Sequence, residues 1–294
     1  MMTASRPPAF GPQPAALWRP AGQDLDRPAS FRVQQALLGD DAHTWALDRI
    51  VAERITAALR RAPAMTATHR QFRTRAIETA LEDGLRQFLD IGAGMPTHQP
   101  VHELIADHGN AQVVYVDNDP LAVLMARVIL DDVTGGNPPA HVGIQIGDFF
   151  YPATILDGPA VVEWIDLREP VCLLLTGLLE YCPAGSDLAA VIEYYRTRLT
   201  PGSLIVLTHP SVDGLDLENP RHAHLAADAR RAAACYDATA TPMVLRTRDE
   251  FETLTAGLDL LGSGISDTAS WPDLGDPRTA AASLCLAGIG CVRP

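Results

Sequence analysis

The stretch that decides the fold is Phe88-Leu89-Asp90-Ile91-Gly92-Ala93-Gly94-Met95-Pro96-Thr97. Its apolar residues predict a strand over 87–91, and the small residues that follow predict a tight turn into a helix. An open parallel sheet binds its ligand beside such a turn, at the carboxyl ends of its strands. The two glycines let the backbone approach a ligand because they have no Cβ atom. A strand-to-helix turn with no ligand is the alternative interpretation.

A second acid, Asp117, ends the next predicted strand, over 112–116, and lies 23 residues after Gly94. A carboxylate at this position can accept hydrogen bonds from both hydroxyls of a ribose, and charge strengthens such bonds. A helix N-cap before Pro120 is the alternative role for this aspartate.

A third acid, Asp148, follows the predicted strand over 142–146 and precedes Phe149. Such an acid can accept from an adenine amino group while a ring packs on the base; a turn aspartate before a core phenylalanine is the alternative. Together the three acids predict a pocket for a cationic ligand that carries ribose and adenine. S-adenosylmethionine fits better than NAD, because Asp90 opposes a pyrophosphate and Thr97 stands where the dinucleotide fingerprint has its third glycine.

The pattern around these strands predicts an α/β fold. After Gly84, short apolar runs alternate with amphipathic segments, as in a parallel sheet built by right-handed crossovers. Further strands are predicted over 171–175, 203–207, 258–262 and 283–292, and helices over 100–108, 120–131, 186–199 and 248–256.

The N-terminal part has a different pattern. Residues 1–28 hold six of the 23 prolines and predict a flexible or extended arm. Helical spacing of apolar residues predicts two short helices between 31 and 60, broken near 39–41. Pro63 is expected to break the chain before a third helix over 66–83.

Composition excludes several classes of function. The 36 acidic and 23 basic residues give a net charge of −13, which disfavours nucleic acid and anionic membrane surfaces as partners. All basic residues are arginine, so mechanisms that need a P-loop lysine, a lysine Schiff base or a lysine general base are excluded.

No apolar run is long enough for a membrane span, and the proline-rich residues 1–20 contain no apolar stretch like that of a secretory signal, so a cytoplasmic location is expected. The five cysteines are odd in number and form no C-x-x-C pair, so we expect neither a disulfide framework nor a metal site. The sequence does not indicate an oligomeric state.

Three motifs of the chain resemble the class I S-adenosylmethionine-dependent methyltransferases, and more narrowly an actinobacterial S-adenosyl methyltransferase family that is largely unassigned in substrate. They are Phe88-Leu89-Asp90-Ile91-Gly92-x-Gly94-x-Pro96-Thr97, Val101-His102-Glu103 and Val114-Tyr115-Val116-Asp117-Asn118-Asp119-Pro120. Looser matches flank them, at Arg70-x-Phe72-x-x-Arg75-Ala76 and Arg246-Thr247-Arg248-x-Glu250. The resemblance runs from about residue 32 to the C-terminus.

The resemblance implies a Rossmann-like seven-stranded sheet with helices on both faces and an antiparallel last hairpin. It also implies a helical cap over 29–84 that covers the cofactor, and an S-adenosylmethionine-binding domain over 85–294. Two segments depart from the family pattern. Gly39-Asp40-Asp41-Ala42-His43 replaces a Gly-Gly turn followed by Asp-Asn, and His69 replaces an asparagine.

The resemblance also implies roles for the matched positions, each toward one part of S-adenosylmethionine. The methionine end would meet Asp90, Gly92 and Gly94, the ribose Asp117 and Asn118, the adenine Asp148 and Phe149, and the sulfonium Thr176 and Gly177.

Methyl transfer is an in-line displacement in which alignment supplies much of the rate, so no covalent residue is required. A base would help with a hydroxyl or amine acceptor, and the candidates are Glu180, Tyr181 and His209. A helix-start carboxylate and a loop histidine are the structural alternatives for Glu180 and His209. Residues 211–240 predict a lid, a substrate loop or a solvated helix, with Tyr236 as a further pocket candidate.

The function predicted is methyl transfer from S-adenosylmethionine to a small-molecule acceptor. One alternative is a protein that binds S-adenosylmethionine without transferring its methyl group. A more distant one is an NAD-dependent reductase.

Overall fold

The structure is a computed structural model that describes residues 27–134, 141–273 and 283–293. The arm predicted over 1–28 lies outside the described residues except for its last two. Those two are bonded to the protein, since Arg27 Nη2 donates to Thr239 O and Ala240 N donates to Pro28 O.

A single eight-stranded sheet forms the centre of the molecule. Its strands are β1 Gln87–Ile91, β2 Gln112–Asp117, β3 Val142–Ile146, β4 Cys172–Leu175, β5 Leu204–Pro210, β6 Leu258–Leu260, β7 Ser266–Asp267 and β8 Cys285–Val292. The order is β3-β2-β1-β4-β5-β8-β6, with β7 also paired to β8. Strands β1 to β5 are parallel, and β8 runs antiparallel to its neighbours. The strand order reverses between β1 and β4, which creates the crevice where such sheets bind ligands.

The predicted count of seven strands was wrong by one, because one edge position is divided. Strand β5 occupies one edge of β8, so β6 and β7 share the opposite edge. Gly262 and Gly264, with φ of 59° and 85°, turn the chain between the two short strands. The strand predicted over 258–262 therefore ends at Leu260.

Ten helices are described, and they cover both faces of the sheet. They are α1 Ser30–Leu37, α2 Ala46–Ala58, α3 Ala62–Glu82, α4 Val101–Leu104, α5 Pro120–Thr134, α6 Pro152–Leu156, α7 Pro159–Trp164, α8 Leu188–Arg198, α9 Pro220–Ala234 and α10 Arg248–Leu254. Alternate residues of β1 enter different cores, as the pleat of a strand requires. Leu89 packs in a core with α6 to α8, whereas Phe88 packs with Phe72 and Ile77 of α3.

Two helix predictions differ from the structure, and two short helices were not predicted. Pro63 lies in the first turn of α3 and so begins this helix, because its missing N–H group has no partner there in any case. The helix expected over 100–108 is only the single turn α4. The two helices α6 and α7 were not predicted, because each is a short segment led by a proline.

The first three helices and α9 form a separate apolar layer, in which Val33, Ile55 and Ala229 are buried together. Helix α9 lies within the predicted lid segment, and its alanine face packs in this layer against α2. The segment is therefore more than a solvated helix. Within the described ranges, no helix has both the length and the apolar character needed to cross a membrane.

Candidate functional site

A cleft with about 1140 Å³ of empty space, its mouth included, opens at the point where the strand order reverses. It lies at the carboxyl ends of β1 to β4. All nine residues that sequence analysis assigned to a cofactor line this cleft: Asp90, Gly92, Gly94, Asp117, Asn118, Asp148, Phe149, Thr176 and Gly177. The structure therefore brings together residues that are spread over 88 positions of the sequence.

The glycine loop after β1 has a conformation that requires glycine. Gly92 has a φ of 73°, and a Cβ atom on it would lie 2.7 Å from Leu178 Cδ1. Gly94 has a φ of 61°, and its Cβ would lie 3.1 Å from Phe31 Cβ. The loop is tied to β2 because Gly92 N donates to Val116 O at 2.8 Å. The backbone is thus left bare toward the cleft.

Asp117 holds the other side of the same loop. Its Oδ2 accepts from Gly94 N at 2.8 Å, and its Oδ1 accepts from Asp119 N at 2.9 Å. Burial raises the pKa of Asp117 to about 6, and the charges of Asp119 and Asp90 add to this rise. The side chain of Asp119 accepts from Leu121 N at the start of α5, so Asp117 is not the only aspartate at this helix end.

Asp148 and Phe149 have the structural role considered for them and also lie in the cleft lining. Asp148 Oδ1 accepts from Phe150 N at 2.9 Å, as a turn aspartate does. Phe149 is only 3% exposed and stacks on Tyr195, with ring centroids 5.8 Å apart. Both residues nevertheless line the cleft.

Two arginines of α3 reach the cleft, and sequence analysis gave neither a role there. Arg73 forms a buried ion pair with Asp90. Arg70 Nε is buried and has no hydrogen-bond partner among the described residues, and burial lowers the pKa of Arg70 to about 10. The signal that could have found them is their spacing of three, which places both on one helix face.

Helix α1 forms a further wall of the cleft. Phe31, Gln34 and Gln35 line it. Thr97 Oγ1 donates to Gln35 Oε1 at 2.8 Å, and Gln34 Nε2 donates to the Tyr181 hydroxyl at the same distance. The N-terminal helices therefore cover the glycine loop, as expected of a helical cap.

The three candidate bases lie in three different places. Tyr181 lines the cleft, whereas Glu180 lines a second cavity next to it. His209 lines neither: its Nδ1 donates to Pro210 O at 2.9 Å and its Nε2 accepts from Arg246 Nη1 at 2.7 Å. Burial lowers the pKa of His209 to about 4. The structure thus engages both nitrogens of His209 away from the cleft.

The segments that depart from the family pattern are also placed. Asp40 pairs with His43 Nδ1 at 2.8 Å and lies 3.5 Å from His98 Nε2, outside the cleft lining. His69 lies between the cleft and the second cavity and lines both.

In the part of the chain that the structure describes, no cluster of three metal-ligating side chains occurs.

Comparison with known proteins adds a decisive observation. A sequence model described as S-adenosyl methyltransferase matches residues 17–293. The chain belongs to the S-adenosyl methyltransferase family. It is therefore a methyltransferase whose cofactor is S-adenosylmethionine.

Two solved structures resemble this methyltransferase over almost its whole length. A candidate methyltransferase from Thermobifida fusca shares 28% identity with a TM-score of 0.79, covering 95% of this chain and 100% of its own. A DUF574 family protein from Streptomyces avermitilis shares 25% identity with a TM-score of 0.79, covering 92% and 99%. No curated protein sequence matches the methyltransferase.

The residues of the cleft fit S-adenosylmethionine. Arg70 Nε and Thr176 Oγ1 are buried polar atoms without a hydrogen-bond partner in the described ranges, and both residues line the cleft. Buried polar atoms are rarely left unpaired, so a polar ligand group is the expected partner. A Cβ atom at Gly92 would collide with Leu178, so the bare backbone of this loop is required by the fold as well as suited to a ligand.

Proposed function

We propose that this methyltransferase holds S-adenosylmethionine along the carboxyl ends of β1 to β4, in the order given by the matched positions. Asp117 and Asn118 bind the ribose, Asp148 and Phe149 the adenine, and Thr176 with Gly177 lie near the sulfonium. The observation that carries the proposal is the convergence of all nine predicted residues on one cleft.

Two side chains of opposite charge bind the two charged groups at the methionine end of the ligand. Arg73 already neutralises part of the Asp90 carboxylate, yet that carboxylate keeps lone pairs for the ligand ammonium. Arg70 presents an unpartnered guanidinium Nε within the described structure, and a carboxylate is the group that best matches it. We assign the ligand carboxylate to Arg70 and the ligand ammonium to Asp90.

The bound cofactor supplies an activated methyl group, and the protein supplies alignment and exclusion of water. Helix α1 covers the glycine loop through the Thr97–Gln35 hydrogen bond. Gly177 N donates to Thr208 Oγ1 at 3.1 Å, which fixes the loop after β4. Alignment of this kind is the main source of acceleration for an in-line displacement.

We further propose a small molecule as the methyl acceptor, because the net charge of −13 disfavours nucleic acid. A division into a helical cap over 29–84 and a cofactor domain over 85–294 is part of the proposal. The cytoplasmic location remains a prediction from the sequence.

Calorimetric titration with S-adenosylhomocysteine tests the proposed site. We expect saturable binding at one site per chain, with NAD unable to compete. Absence of binding at millimolar S-adenosylhomocysteine, or displacement by NAD, would refute this assignment of the cleft.

A further inference from the structure

We propose that the second cavity is the acceptor site, and that it takes a largely apolar molecule whose hydroxyl group meets Glu180. This inference rests on the proposed function, because it places the acceptor relative to the cofactor cleft.

The cavity has about 750 Å³ of empty space, its mouth included, and its wall is mostly apolar. Apolar side chains come from α1, from α2 and the residue after it, from α3, from α9 and from the residue before β8. They are Leu37, Ile55, Leu59, Ala62, Met65, Ala229, Ala232, Ala233 and Leu284. Small-molecule sites have this mostly apolar character, with a few polar groups that fix orientation.

The cavity and the cofactor cleft share a wall. Gln34 and His69 line both spaces. A Cβ atom on Gly177 would lie 3.4 Å from His69 Cε1 and 3.8 Å from Gln34 Nε2. Because Gly177 is assigned to the sulfonium end, an acceptor oxygen that lies beside this shared wall would reach the methyl carbon directly, as an in-line displacement requires.

Glu180 is the unusual group in this cavity. It is 5% exposed, and its Oε2 has no hydrogen-bond partner among the described residues. An unsatisfied buried carboxyl is costly, so a ligand donor is the expected partner. Burial also raises the pKa of Glu180 to about 7, so it can take up a proton near neutral pH.

The side chain of Glu180 is not needed to hold its own turn. Its backbone carbonyl accepts from Val244 N at 2.8 Å. Arg246 Nη1 donates to Leu179 O at 2.9 Å, and its Nη2 donates to Cys182 O at 3.2 Å. The turn is thus held by a backbone hydrogen bond and by the Arg246 guanidinium, and Glu180 Oε2 is left for a ligand. Holding this turn is therefore a structural role for Arg246, the first residue of the Arg246-Thr247-Arg248-x-Glu250 motif.

The other titratable groups near Glu180 are poor bases. Burial raises the pKa values of Tyr181, Tyr236 and Cys285, so all three keep their protons at neutral pH. Burial lowers the pKa of His69 to about 3, and its Nε2 lies 2.9 Å from Thr208 Oγ1. The positive charge of Arg246 attracts the Glu180 carboxylate, and a guanidinium does not act as a base.

The proposed step balances without any further reactant. The acceptor O–H proton moves to Glu180 Oε2, and an oxygen lone pair forms the new bond to the methyl carbon. The carbon–sulfur bond breaks, and its electron pair stays on sulfur. A neutral hydroxyl suits this cavity better than an ammonium group, because an apolar wall does not compensate the desolvation of a cation.

The first test is binding of 2-naphthol to the full chain saturated with S-adenosylhomocysteine. We expect saturable binding, and binding of 2-naphthoate at least about tenfold weaker, because its carboxylate would meet Glu180. Ala229→Leu fills the cavity from α9 and is expected to weaken 2-naphthol about tenfold or more. Ala227→Leu, on the same helix but not in the cavity wall, is the matched control and should change nothing.

Titration with S-adenosylhomocysteine separates the two proposals. If it binds both variants with unchanged affinity, the fold and the cofactor site are intact. If 2-naphthol then fails to bind, or binds Ala229→Leu as well as the control, the acceptor site is overturned while the cofactor site stands. Loss of S-adenosylhomocysteine binding by the unaltered chain would instead overturn the proposed function.

The second test uses labelled methyl transfer from S-adenosylmethionine to a panel of apolar alcohols, phenols and amines. We expect transfer to hydroxyl compounds, and a loss of at least about a hundredfold with Glu180→Gln while 2-naphthol binding changes less than about threefold. The exposed Glu193→Gln is the control. Transfer to amines alone, or full activity of Glu180→Gln, would overturn the assignment of Glu180.

Discussion

Asp117 both holds the glycine loop and faces the cleft, so its replacement should affect ligand binding more than folding. Asp117→Ala is expected to weaken S-adenosylhomocysteine binding by about 2 kcal/mol, or about thirtyfold. Calorimetry on this variant and on the exposed control Asp107→Ala checks the prediction. Equal affinity of the two variants would remove Asp117 from the binding site.

The raised pKa of Asp117 predicts a pH dependence of binding. The ionised carboxylate is the form that accepts from ribose hydroxyls, so affinity for S-adenosylhomocysteine should fall as the pH drops through about 6. The pKa values of His69 and His102 lie near 3 and 4, so both stay neutral in this range.

The raised pKa of Asp117 makes the stability of the ligand-free protein depend on pH in the opposite direction to ligand binding. An acid with a raised pKa in the folded state contributes stability that is present below its unfolded pKa and is lost as the pH rises through about 6. Titrations between pH 5 and 7.5 should therefore show binding improving while the free protein loses this contribution. An unchanged pH profile in Asp117→Asn would show that another group titrates.

Arg70 predicts a difference between two ligands that share an adenosine group. Arg70→Gln should weaken S-adenosylhomocysteine by about 10- to 100-fold, because a charge-assisted hydrogen bond is lost. It should change the affinity for 5′-methylthioadenosine, which has no carboxylate, by less than about twofold. Calorimetry with both ligands measures the contrast, and Arg60→Gln on the exposed surface is the control. Equal losses for the two ligands would contradict the assignment of the carboxylate.

At the scale of elements, the attachment of α1 to α2 is the most sensitive point of the helical cap. Arg32 Nε donates to Asp48 Oδ2 at 2.7 Å, and both side chains are almost fully buried. Asp48 also accepts from Ala29 N and Trp45 N, and the Arg32 guanidinium lies 3.7 Å from the Trp45 ring centroid. This cluster sets the position of the helix that covers the cleft.

Breaking this pair should be costly. Asp48→Ala is expected to lower the free energy of unfolding by about 3 to 5 kcal/mol, because it leaves a buried charge unpaired. The exposed pair of Glu193 and Arg196 gives the comparison, and Glu193→Ala should cost less than about 1 kcal/mol. Urea unfolding measures both values. A similar loss in the two variants would show that the buried pair does not anchor α1.

The accuracy of sequence analysis differed between classes of element. Strands β1 and β3 were predicted at their observed bounds, because each has three large apolar residues within five positions. The division between β6 and β7 depends on how two glycines turn the chain at an edge, which an apolar pattern does not contain. Helices α6 and α7 are too short to show a helical period.

The candidate site was predictable where its residues follow strands, and less so where they come from packing. The acids at the ends of β1, β2 and β3 meet because parallel strands end at one edge of the sheet. Arg70 and Arg73 enter the cleft through the docking of α3, and the acceptor cavity is lined from helices, loops and strand ends that are distant in sequence. Sequence periodicity gives the face of a helix but not its partner.

At the scale of the molecule, the cofactor should stabilise the whole fold. The cleft is lined by α1, α3 and the ends of four strands, so a bound ligand joins the helical layer to the sheet. S-adenosylhomocysteine at about 100 times its Kd should add about 2.7 kcal/mol to the free energy of unfolding. The expected rise in Tm is about 4 °C, because the unfolding entropy of a chain of this length is about 0.6 kcal/mol/K.

Thermal unfolding with and without the ligand measures this effect, and NAD at the same concentration is the control. We expect no shift with NAD. A comparable shift with both ligands would contradict the specificity assigned to the three strand-end acids.

The wall shared by the two spaces has a consequence for how such proteins diversify. Gln34 and His69, which form it, belong to α1 and α3, whereas the acids of the cleft follow strands. Mutations at helix residues that face the second cavity can therefore change which compound is methylated, provided that the cofactor contacts of α1 and α3 are kept. New acceptors can thus arise through changes at helix positions that face only the second cavity, such as Leu37 and Ile55, while the sheet and the two arginines of α3 are inherited unchanged.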